Sequence, residues 1–89
     1  MTLQGRTQKV LLIDDDPQIH DLVRFHLEDR VECVVTASDA CSGRVLAGEE
    51  KPDLILLDIC MPDEAGVTLC GKLQADPATR DIPVVFLTG

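Results

Sequence analysis

Four short apolar runs separated by amphipathic segments set the pattern of this chain. The first, Lys9 to Ile13, has no polar position after Lys9 and ends on three aspartates, Asp14 to Asp16. Such a run predicts a strand buried on both faces, with a loop at its carboxyl end. Asp16 suits the N-cap of a following helix and Pro17 its first turn, and Ile19, Leu22, Val23 and Leu27 recur at helical spacing up to about Arg30. Val31 to Ala37 predicts a second strand, with Val31, Cys33 and Val35 on one face and Val34 on the other. Ser38 is expected to cap a second helix over Asp39 to Ala47, carrying Ala40, Cys41, Val45 and Leu46. Gly43 weakens that helix, and Gly48 with Pro52 ends it.

Asp53 to Asp58 is the clearest buried strand and, like the first, ends in a carboxylate. A loop with Pro62 follows, and Gly66 precedes a third helical pattern of Val67, Leu69, Cys70 and Leu73 that Asp76 and Pro77 break. Ile82 to Leu87 forms a fourth strand, ending at Thr88 and Gly89. Strands and helices thus alternate after a polar leader, Met1 to Gln8. Alternation with short connections predicts right-handed parallel crossovers and one open α/β domain over residues 9–89. Ligands of such sheets bind beyond the carboxyl ends of the strands. Asp14, Asp15, Asp58 and Thr88 all fall there.

Composition narrows the function. A chain of 89 residues with 45% hydrophobic content has room for one packed domain. Its net charge of -8 argues against holding nucleic acid or an anionic membrane, since phosphates are bound by clustered Lys and Arg. Cationic ligands fit better. No apolar run exceeds four residues, far short of a membrane span, and a cytoplasmic protein is expected. The four cysteines form no C-x-x-C pair, so reduced, partly buried thiols are expected. His20 and His26 lie six apart on a helix and point in different directions, which disfavours a shared metal.

Carboxylates gathered at one sheet edge repel one another, and a structure that assembles them usually binds a divalent cation there. Magnesium is the natural candidate. It takes hard oxygen ligands and typically uses one or two carboxylates plus a substrate phosphate, so a phosphate is implied too. Taken singly, each feature has a plainer meaning: Asp14 to Asp16 as a solvated capping turn, Met61 and Pro62 as a bend, Thr88 as an ordinary strand end.

Together they carry more. The segments Val10 to Pro17 (VLLIDDDP), Pro52 to Asp58 (PDLILLD), Met61 and Pro62 with Gly66 four residues on, and Phe86 to Gly89 (FLTG) resemble, in order and spacing, the receiver domain of bacterial response regulators, chemotaxis-regulator-like. The resemblance covers essentially the whole chain. It implies a flavodoxin-like open parallel sheet with helices on both faces and strand order 2-1-3-4, lacking the family's last helix, strand and helix. It implies that Asp58 accepts a phosphoryl group from a sensor histidine kinase or phosphotransfer protein. Asp15, Asp58 and the backbone carbonyl of Cys60 are then ligands of Mg2+, with Asp14 holding one of its waters. Thr88 bonds the phosphoryl group and works as the switch. Met61 and Pro62 fix the turn out of the third strand, Gly66 lets the loop close, and the Cys60 side chain lies beside the site.

The resemblance further implies an output domain or effector outside this segment. No residue here can take the part of the family's lysine at the end of the fifth strand. A fourth strand left at the sheet edge invites self-association, unless it belongs to a longer protein. The chain is expected to be a signalling domain and not an enzyme. Two rivals stand beside this reading. A haloacid dehalogenase-type phosphatase also starts from D-x-D after a strand, which Asp14 and Asp16 supply, but it wants a Thr where Gln18 stands and leaves the Asp58 segment unexplained. The other rival is a receiver-like interaction module that does not switch on phosphate.

Overall fold

The computed structural model describes residues 9–87. The elements are β1 (Lys9–Ile13), α1 (Pro17–Leu27), β2 (Cys33–Ala37), α2 (Ala40–Glu50), β3 (Leu54–Asp58), α3 (Gly66–Ala75) and β4 (Val84–Leu87). The four strands form one parallel sheet in the order β2-β1-β3-β4. This is the expected flavodoxin-like arrangement. The crossover through α1 runs one way from β1 and those through α2 and α3 run the other way. Right-handedness therefore puts α1 on one face and α2 with α3 on the opposite face.

The core lies under α2 and α3. Leu11, Ile13, Ile55 and Leu57 point to that face, where they meet Ala40 and Ala47 of α2, Leu69 and Leu73 of α3, and Met61 from the intervening loop. Gly43 explains itself here. A Cβ on it would lie 2.6 Å from Cδ1 of Ile13, so the residue that weakens α2 in isolation lets the helix settle onto the sheet.

The opposite face is less covered. Val10 and Leu12 of the central β1 are buried, but Leu54 and Leu56 of β3 are only half-buried, so β3 is not covered on both sides as expected. No residue of α1 is fully buried, and Leu22 and Phe25 are 51% and 72% exposed. The cysteines also depart from expectation: Cys33, Cys41 and Cys60 are exposed and only Cys70 is half-buried.

Helix ends shift for identifiable reasons. α1 stops at Leu27 and a turn follows, in which Arg30 and Val31 donate to the Leu27 carbonyl; β2 begins only at Cys33, where pairing with Lys9 starts. The cap of α2 is Asp39 and not Ser38, its carboxylate accepting the Ser42 amide at 2.7 Å. The helix runs through Gly48 to Glu50 and ends on Lys51 in the left-handed region, φ 50° and ψ 58°, before Pro52. α3 ends at Ala75, where the buried hydroxyl of Thr79 donates to the Leu73 carbonyl at 2.7 Å and satisfies one of the helix's terminal acceptors.

Candidate functional site

Strand register assembles the site. Ile13 pairs with Leu57, so the next residues, Asp14 and Asp58, emerge side by side at the carboxyl edge of the sheet. Asp15 follows Asp14 on the loop into α1. Carboxylate oxygens of Asp14, Asp15 and Asp58 all lie within 4.8 Å of one another. The three open onto a cleft of about 460 Å³ that is also lined by Ile19, Leu22, Val23 and Leu87.

The three acids sit in different surroundings. Asp14 is 5% exposed, Asp15 is exposed and Asp58 is half-buried. Burial pushes the Asp14 carboxyl above its ordinary range; the Asp16 amide pulls it back, and the charges of Asp58, Asp15 and Asp16 add to the rise. Asp14 is held at three points. Its amide donates to the Ala37 carbonyl at 3.0 Å, its Oδ1 accepts the Asp16 amide at 2.9 Å, and its carbonyl lies 2.6 Å from Nε2 of His20.

Asp16, the third acid of the run, has another task. It is the N-cap of α1, accepting the Gln18 amide at 2.9 Å with Pro17 at the first helical position, as expected.

The loop after Asp58 is closed at its neck. The Cys60 amide donates to Asp58 Oδ1 at 3.3 Å, Gly66 donates to the Ile59 carbonyl at 2.6 Å, and Cys60 bridges Ala65. A Cβ on Gly66 would come within 2.2 Å of the Asp58 carbonyl oxygen, which accounts for glycine there. Met61 anchors the loop in the core. Asp63 ties it to α2, its two carboxylate oxygens accepting the Ala40 amide at 2.9 Å and the Cys41 amide at 3.1 Å. Those amides, Ala40 foremost and partly opposed by desolvation, hold Asp63 below the ordinary carboxylate range. A carboxylate at a helix start is favoured by the helix dipole as well.

Of the residues expected at the site, Asp14, Asp15 and Asp58 are thus brought together and Cys60 lies on the adjoining loop. Thr88 lies outside the described residues. Sequence reasoning missed two contributors. His20 could have been noticed as the fourth helical residue of α1, because helical side chains lean toward the N-terminus and so back over Asp14. Asp63 left no such signal, since its partners are more than twenty residues away.

Chemically, a buried acid beside two more accessible ones forms a hard, negative, oxygen-rich site at a sheet edge. A family model for the response regulator receiver domain matches residues 10–89. The chain belongs to this family. The receiver is 46% identical over 80 residues to the DNA-binding dual master transcriptional regulator RpaA of Synechocystis, a match covering 90% of this chain and 33% of that protein. Among solved structures, the N-terminal domain of a response regulator receiver protein from Methanoculleus marisnigri JR1 superposes with a TM-score of 0.85 at 38% identity, over 90% of this chain and 65% of that one. The receiver domain of a sensor histidine kinase from Pseudomonas aeruginosa PAO1, solved with magnesium in its active-site cleft, shares the fold with a TM-score of 0.84 at 24% identity, over 92% of this chain and 67% of that one. The chain therefore spans a third of RpaA and about two thirds of the Methanoculleus domain.

Proposed function

We propose that this receiver takes a phosphoryl group onto Asp58 from a sensor histidine kinase or phosphotransfer protein and passes the change to an output. The observation that carries the reading is the meeting of Asp14, Asp15 and Asp58 at the carboxyl edge of β1 and β3, in a chain of the receiver family. In the transfer, a carboxylate oxygen of Asp58 attacks phosphorus, the bond from phosphorus to the donor imidazole nitrogen breaks, and that nitrogen keeps the electron pair and takes a proton.

The donor set fits magnesium. Three carboxylates within 4.8 Å, one of them raised by burial and further by the charges beside it, leave a concentration of negative charge that a hard cation offsets. In this reading Asp15, Asp58 and the Cys60 carbonyl hold the ion and Asp14 holds one of its waters. Bound there, Mg2+ supplies compensation for charge on the phosphoryl oxygens. Asp14 sets the local field, the Asp58 loop presents the nucleophile at the half-open cleft, and Thr88 is assigned the phosphoryl contact that transmits the switch.

Against the phosphatase rival, the Asp16 carboxylate that would be its second aspartate caps α1 through one of its oxygens. The family match also accounts for the Asp58 segment, which that rival leaves over. No helix among the described residues is long and apolar enough to cross a membrane. The outer edge of β4, with Val85 and Phe86 partly exposed, is where self-association is proposed. A light-scattering mass equal to one chain at high concentration would remove that proposal.

Intact mass after incubation with a small acyl-phosphate donor tests the main reading. One added phosphoryl group that requires Mg2+ and is lost in Asp58→Asn is expected. An adduct that persists in the variant would refute Asp58 as acceptor, and no adduct would favour a module that does not switch on phosphate.

A further inference from the structure

We propose that His20 is a positioning residue for the acidic site: its imidazole holds the peptide joining Asp14 to Asp15 and so sets how well the carboxylates receive a divalent cation. The inference rests on the metal-site reading above and extends it to a residue that offers no carboxylate. Its observation is the 2.6 Å approach of His20 Nε2 to the Asp14 carbonyl oxygen.

A carbonyl oxygen only accepts, so the ring nitrogen must donate. Nε2 therefore carries a proton, and in the neutral ring Nδ1 is the acceptor. The contact is local to the fold. His20 stands at the fourth position of α1, from which its side chain leans back toward the helix start and the aspartates before it.

What the bond restrains matters. The Asp14 carbonyl and the Asp15 amide belong to one planar peptide unit, so fixing the oxygen fixes the point from which Asp15 departs. The amide of Asp14 is tied to Ala37 and its Oδ1 to the Asp16 amide, but among the described residues no hydrogen bond holds Asp15 itself. Three like charges within 4.8 Å push one another apart. The Asp15 side is the compliant part of the cluster, and the His20 bond is what stiffens it. Ligands held near their productive geometry bind better than ligands that must be ordered on binding.

The experiment compares the native chain with His20→Phe, which keeps a ring without a donor, and His20→Gln, whose amide nitrogen reaches as far as Nε2 and donates. Titration calorimetry reads Mg2+ affinity, thermal melts without metal read folding, and 15N spectra of the imidazole read the tautomer. Loss of one hydrogen bond predicts roughly three- to tenfold weaker Mg2+ binding in His20→Phe, with most of it restored in His20→Gln. The native ring should show the proton on Nε2.

His20→Phe binding Mg2+ as tightly as the native chain would overturn the proposal while leaving the metal site intact. So would equal weakening in both variants that tracks a lower melting temperature, since that marks packing alone. A proton resident on Nδ1 would refute the contact without reference to metal. Native protein that binds no Mg2+, yet shows the Nε2 proton, would defeat the cation-site reading and with it the role given to His20.

Discussion

Replacing Gly66 by alanine perturbs the site through the backbone. The added methyl would sit 2.2 Å from the Asp58 carbonyl oxygen, 3.0 Å from the Ile59 Cα and 3.1 Å from the Asp58 carbonyl carbon. None of these atoms belongs to a flexible side chain, so either the Asp58 strand end or the start of α3 must move. Moving α3 also strains the bond from the Gly66 amide to the Ile59 carbonyl. Overpacking of this kind costs about 1–3 kcal/mol and a weakened hydrogen bond up to about 1 more, while alanine returns at most about 1 through helix propensity. The net loss is about 2 kcal/mol. For a domain of this size that lowers Tm by roughly 8–16 °C. The chain has no Trp, so urea and thermal unfolding are followed by far-UV circular dichroism. Gly71→Ala in the same helix is the internal control, since a Cβ there meets nothing within 4 Å and should stabilise by about 0.5–1 kcal/mol. If Gly66→Ala unfolds within about 0.5 kcal/mol of the parent, the argument from close approach is wrong.

Other outcomes follow from the same structure. Lys51→Gly should stabilise by about 0.5–1 kcal/mol in urea unfolding, because glycine enters the left-handed helix end without the Cβ penalty. Asp14, raised by burial, binds a proton more readily folded than unfolded, so metal-free stability falls as pH climbs from the unfolded carboxylate value through the folded one. Asp14→Asn should therefore melt higher than the parent above that window without metal, and gain less from Mg2+. Asp63 runs the other way: its stabilisation is complete above the unfolded value and is lost as pH falls through its lowered folded value. Acid titration of Asp63→Asn should accordingly show a shallower fall than the parent. Mg2+ that binds only the folded receiver at a hundred times its Kd should raise stability by about 2.7 kcal/mol, which thermal melts would detect.

The four parallel strands and the acids at the ends of β1 and β3 were legible from local pattern, whereas the strand order that sets Asp14 and Asp15 beside Asp58 was legible only through the resemblance to receiver domains. What escaped the sequence depends on approach between distant segments. Gly43 reads as a helix weakness until Ile13 is seen beneath it, and Gly48 reads as a terminator although the chain turns at Lys51, next to Pro52. Ser38 and Asp39 are both good caps, and the extended backbone at Asp39, φ -151°, with its carboxylate on the Ser42 amide selects between them. The half-covered face of β3 was hidden for a related reason, since an unbroken apolar run reports the composition of a strand and not the helices that reach it. Asp63 acts through backbone groups of a distant segment, which no residue pattern names, whereas the place of His20 on the first turn of α1 pointed back toward Asp14.

The central claim is that Asp58 is the phosphoryl acceptor, and trapping the acyl phosphate tests it most directly. Treating the protein with a small acyl-phosphate donor and Mg2+, reducing with borohydride and sequencing the peptides by mass should find homoserine at position 58, absent without metal or donor. Reduction at no aspartate, or at Asp14 or Asp15 instead, would contradict the account.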